Sequence, residues 1–165
     1  MRFSFLLLAG ANLLLLAVTA VVGLLVDGDA WFFQHFALGL LSAIYTCLVH
    51  VLVFTYFVVS LNVARQAVAQ SRADPALLPA VHAGKSRALR AALAAIGATL
   101  VASGLGAIIT EPSLARAWHV SVEAHLLSAF ALIGVNFFAF VVQYAEIDRN
   151  VRRFEAAFGN QSPTG

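Results

Sequence analysis

WFFQHFALGLLSAIYTCLVHVLVFTYFVVSLNV, residues 31–63, decides what kind of molecule this is. The stretch contains no Lys, Arg, Asp or Glu. A helix that crosses the hydrocarbon core of a bilayer needs roughly 20 apolar residues in a row. Three other stretches read the same way: 3–26, without charge; 88–110, interrupted by Arg90 near its start; and 117–145, interrupted by Glu123. Across all 165 residues the chain is 61% hydrophobic and 11% charged, with mean hydropathy +0.89. A soluble domain carries about 25% charged residues. A chain this small has too much surface per unit volume to hide so much apolar material from water. The expected fold is therefore all-α, a polytopic membrane protein. It would be a four-transmembrane-helix bundle with long second and fourth helices, one domain over 1–158, and a disordered tail at 159–165.

The first span begins like a secretory signal, with Arg2 before an apolar run. That run continues to Val26, beyond the ~7–15 residues of a signal core, so a retained helix is expected. The connections differ in charge. The first is acidic, with Asp27 and Asp29; the second carries Arg65, Arg72, Lys85, Arg87 and Arg90; the end of the chain carries Arg149, Arg152 and Arg153. With Arg2, nine of the ten Lys and Arg residues fall on one side, Arg116 being the exception. Cationic loops stay in the cytoplasm. Both termini are thus expected there, in a bacterial-type inner (cytoplasmic) membrane. Trp31 and Trp118 would mark the outer interface. The basic residues are topology signals rather than a nucleic-acid surface. Residues 146–158 read as an amphipathic cytoplasmic extension, with Ile147, Val151 and Phe154 at helical spacing. Pro75 and Pro79, which lack a backbone donor, are expected to end the helical run that leaves the second span. Cys47, the one cysteine, excludes an internal disulfide or a Cys-based metal motif.

Helical spacing assigns interior faces. On the second span His35, Gly39, Ser42 and Thr46 share a stripe that His50 borders. On the fourth, Ser121, His125, Leu132, Asn136 and Gln143 align, and on the first, Asn12, Thr19 and Gly23. Small residues crowd the third, including Gly104 and Gly106, which suits close helix packing.

Ionisable groups inside a bilayer are rare and mark function. With Trp31 and Trp118 taken as one level, His35, His119, Glu123 and His125 form a cluster in the outer half, and His50 lies roughly 22 Å deeper than His35. His119 and Glu123 would make their own pair four residues apart. Three chemistries suit the cluster. Two histidines from facing helices could hold a b-type haem, with His35 and His125 the first choice, His119 a substitute ligand, and Gly39 leaving room for a flat macrocycle. A transition metal could take His35, His119 and His125 with the Glu123 carboxylate. The group could also relay protons. His50 would face a deeper cofactor or quinone. Histidines bonded to Ser, Thr, Glu or carbonyls in a purely structural role are the plain alternative. His82, in the second connection, reads as solvated.

In one respect the pattern resembles the diheme cytochrome b architecture, in which parallel helices each present histidines toward haem. His35 and His50 mimic one such pair. The fourth span has Gly134 and Asn136 where the matching deep histidine would stand, so the resemblance implies one internal haem at most.

Phosphate-loop, zinc-protease and nucleophile-elbow motifs are absent, and the chain does not read as an enzyme on its own. The expectation is a small integral membrane subunit of a respiratory or other electron-transfer assembly, possessing one b-type haem site. The alternatives are a non-catalytic scaffold or assembly subunit and a metal- or proton-handling membrane protein. The expected partners are lipid and either other membrane subunits or further copies of the chain.

Overall fold

A computed structural model describes residues 1–159; the stretch 160–165, most of the expected disordered tail, lies outside the described residues. Among the described residues every regular element is a helix: α1 (Arg2–Leu24), α2 (Phe32–Ala69), α3 (Leu77–Ile109), the short α4 (Pro112–Ala117) and α5 (Val122–Phe158). α1, α2, α3 and α5 are each long and apolar enough to cross a membrane. α2 has 38 residues and α5 has 37. At 1.5 Å per residue both are about 55 Å long, well beyond a ~30 Å hydrocarbon core. α3 packs on α2 and α5, and α1 packs on the same two, so α2 and α5 face each other across the interior.

Burial runs inside out relative to a water-soluble protein. Asn12, Thr46, His50, Asn136 and Gln143 are wholly buried, while Phe3, Phe33 and Leu127 are more than 70% exposed. Polar side chains have turned toward partners and apolar ones toward the surroundings, the arrangement lipid selects. Between the helices Phe5, Phe57, Phe140 and Ile147 form the main apolar cluster. On α3, Ala88, Ala92, Ala95 and Ala102 are buried at helical spacing, and their missing bulk lets the neighbouring backbones approach.

Two boundaries differ from the sequence reading. α3 starts at Leu77 rather than 88, so it is nearly as long as α2. Pro79 sits in its first turn, where backbone donors have no partner within the helix and proline costs nothing. His82 is consequently a helical residue, and it is exposed as expected. The fourth span does not start at 117. Glu111 caps α4 through a hydrogen bond from the Ser113 amide, the chain breaks at 118–121, and Ser121 caps α5 by accepting from the Ala124 amide at 3.3 Å. His119 occupies the break with φ +52°. Hence no helical spacing relates His119 to Glu123. α5 continues without interruption through 146–158.

Candidate functional site

His35 and His125 lie in the first turns of α2 and α5, helices that start at the same end of the molecule. The Ser121 cap sets where α5 begins and so places His125 one turn inside it. The two imidazoles meet across the interior with ring centroids 6.1 Å apart and planes at 78°. His35 Nδ1–H donates to the Thr19 carbonyl on α1 at 3.1 Å, which leaves Nε2 as its lone-pair nitrogen. His125 Nδ1 is buried and has no hydrogen-bond partner among the described residues. Orphaned buried nitrogens are uncommon and call for a ligand, an ion or a water.

Glycines seat both rings. A Cβ added at Gly23 on α1 would stand 2.7 Å from His35 Cε1, and one at Gly106 on α3 would stand 2.9 Å from His125 Cε1. Neither distance is tolerable, so only glycine admits the imidazoles where they are. We expect Gly106→Ala to displace the His125 ring and to cost about 1–3 kcal/mol of stability, the usual penalty for overpacking. A lowered melting midpoint in detergent would be the readout. Gly104→Ala, where an added Cβ meets nothing within 4 Å, should be close to neutral and serves as its control.

A cavity of about 80 Å³ adjoins the pair, lined among others by Thr19, Gly39, Ser42, Thr99 and Ser103. Thr19 and Ser42 hydroxyls bond each other at 2.8 Å, and Thr19 also donates to the Leu15 carbonyl, so the Ser42 hydroxyl is the donor between them. Two imidazole nitrogens on one metal at about 2.0–2.1 Å, each nitrogen roughly 1 Å from its ring centre, set the centroids about 6 Å apart. The observed 6.1 Å equals that distance for nitrogens that point at each other from opposite sides of one ion. The lateral room is another matter. Pockets for molecules of drug size run to about 300–1,000 Å³, so with the helices at these positions a macrocycle does not fit, whereas a single ion with a water does.

The other sequence candidates stand elsewhere. Gly39 lines the same cavity. Glu123 and His119 are exposed, and among the described residues no group of three or more His, Cys, Asp or Glu side chains comes together as a metal site. The carboxylate expected beside the histidines thus turns outward, and the site is a pair. His50 belongs to a separate layer. Its Nε2 lies 3.2 Å from Asn136 Oδ1 and its Nδ1 lies 2.9 Å from Gln143 Nε2. Asn136 Nδ2 donates to the Leu132 carbonyl, so Oδ1 must face His50 and accept. His50 then carries its proton on Nε2 and accepts from the Gln143 amide through Nδ1, with both nitrogens engaged. The ring also stacks on Phe140, centroids 5.1 Å apart. In this arrangement His50 has no nitrogen left for a cofactor.

Two features escaped the sequence reading. Gly23 was visible as an interior position, but its pairing with His35 was not. The buried carboxylate of Glu146, bonded by Arg87 at 2.7 and 2.9 Å, was also missed; an acidic residue beyond an apolar run looks like one more solvated charge. Compared with known proteins, the chain matches no family model, no curated protein and no solved structure.

Proposed function

We propose that this chain is a small multi-pass subunit of a membrane electron-transfer assembly, and that His35 and His125 together ligate one transition-metal ion. The observation that carries the reading is the pair of facing imidazoles from α2 and α5, spaced for one metal centre. Imidazole suits copper, iron, nickel and zinc alike; a redox-active one of these would supply one-electron chemistry. The residues do the rest. Thr19 fixes the tautomer and direction of His35, as outer partners of metal-bound histidines do. Gly23 and Gly106 seat the rings, and the surrounding helices exclude bulk water. A cavity this small admits no substrate-sized molecule, so electrons or protons are the natural traffic. The basic end, with both termini, would lie in the cytoplasm of a bacterial-type cell and the histidine end toward the outer face.

A b-type haem is the second reading, favoured by the same axial spacing; it requires the α1 and α3 walls to part beside Gly23 and Gly106. The test is purification in detergent followed by metal analysis and a dithionite-reduced minus oxidised absorption spectrum. The expected result is a first-row metal near one per chain, lost in His35→Ala and in His125→Ala but kept in His82→Ala. A sharp b-type α-band sensitive to the same two substitutions would move the assignment to haem. A colourless, metal-free protein that takes up no added metal sinks both readings and leaves a scaffold subunit.

A further inference from the structure

The end opposite the histidines carries nine Lys and Arg residues against Asp74, Glu146, Asp148 and Glu155. Glu146, almost wholly buried, has its oxygens bonded by Arg87 and by Arg149. A third guanidinium stands nearby: a Cβ at Gly84 would be 3.2 Å from Glu146 Oε2 and 3.3 Å from Arg153 Nη1. That Nη1 is buried and has no hydrogen-bond acceptor among the described residues. A buried charged donor without an acceptor is costly, and such a group calls for a water or an ion as its partner. Asp74, which lines the neighbouring cleft, has its Oδ1 committed to the Ala76 amide at 2.7 Å.

Arg153 also lines an open cleft of about 750 Å³, between the α2–α3 turn and the end of α5, with Ser71, Arg72, Asp74, Leu77 and Ala157. The cleft thus combines two arginines with an apolar edge. Side chains on a helix lean toward its N-terminus. The Arg153 guanidinium is accordingly level with Gly84 and Glu146, one to two turns nearer the apolar part of α5 than its own backbone. That depth is the headgroup zone if the apolar spans lie in a bilayer.

We propose that this cleft binds the phosphate group of an anionic lipid headgroup, with Arg153 and Arg72 as its donors. Basic pockets between helices on the cytoplasmic side recognise such headgroups, and guanidinium matches phosphate by paired, charge-assisted hydrogen bonds. The proposal rests on the membrane reading but not on the histidine pair.

The experiment uses the full chain in neutral detergent, with phosphatidylglycerol, phosphatidylcholine and inorganic phosphate as three separate probes. Retained lipid is counted by native mass spectrometry, and the melting midpoint is followed in parallel. Phosphatidylglycerol should be retained and should raise the midpoint, with the other two doing neither. Arg153→Gln should weaken phosphatidylglycerol retention roughly tenfold, the scale of one charge-assisted hydrogen bond. Arg72→Gln, in the turn, tests the site independently should the first variant fold poorly. Arg116→Gln, at the other end, should change nothing. Equal retention of phosphatidylcholine, or wild-type retention by both cleft variants, overturns the proposal. Equal protection by inorganic phosphate assigns the cleft to a soluble phosphate and overturns the lipid assignment.

Discussion

His50→Ala is expected to destabilise the protein by about 3 kcal/mol. The substitution removes the shared partner of Asn136 and Gln143, both wholly buried, and leaves a void against Phe140. Hydrogen bonds between membrane helices are worth about 0.6 kcal/mol on average and up to about 1.7, because the unfolded chain in lipid also finds partners. Two of them therefore account for part of the loss, and the cavity supplies the remainder. The decisive comparison is His50→Leu beside the triple variant His50→Leu, Asn136→Leu, Gln143→Leu. Leucine at 50 alone strands two buried amides. Replacing all three removes the stranded groups, and an apolar substitute for a whole polar cluster is often nearly neutral. The triple variant should thus be more stable than His50→Leu, measured by chemical or thermal unfolding in micelles. Strict additivity of the three changes would show that the layer is not a network.

Arg87→Ala should cost about 3 kcal/mol, and Glu146→Gln markedly less. The asymmetry follows from exposure. The Glu146 side chain is 2% exposed and that of Arg87 40%. Deleting Arg87 leaves a carboxylate inside the protein with Arg149 as its remaining bonded partner, and removing one member of a buried pair is the costly case. Neutralising Glu146 frees guanidiniums that reach water through their exposed sides. The Arg87→Ala, Glu146→Gln double variant should then recover part of the single loss, and a cycle over the four proteins measures the coupling. Equal costs for the two single variants would mean that Glu146 is hydrated in practice and that the pair contributes as a surface ion pair, below about 1 kcal/mol.

The interior faces of α1, α2 and α5 were legible because the lipid-facing rule is simple. Polar residues at helical spacing on an otherwise apolar span have one side to turn to, and Asn12, Ser42, Thr46, Asn136 and Gln143 are all buried. The same rule selected His35 and His125 as facing partners. It did not separate them from His119 and Glu123, because it assumed that helix extends back to 117. The Ser121 cap and the positive φ at His119 break that assumption. Spacing arguments fail where the helix itself stops, and a capping serine before Val122 was the local signal. Similarly, Pro79 reads as a stop only if the helix is taken to be under way; at the start of α3 it is compatible with the first turn.

Composition and the run of apolar residues by themselves determined that this chain makes four long helices suited to lipid, since backbone groups in hydrocarbon must bond within their own segment. Which histidine is a candidate ligand and which is a bonded core residue was decided only by tertiary structure. His35 and His50 sit on one helix in similar sequence surroundings, yet one opens on a cavity and the other lies between two amides of α5. The difference lies in what the opposite helix presents at each level, and a pattern read along one helix carries no information about that.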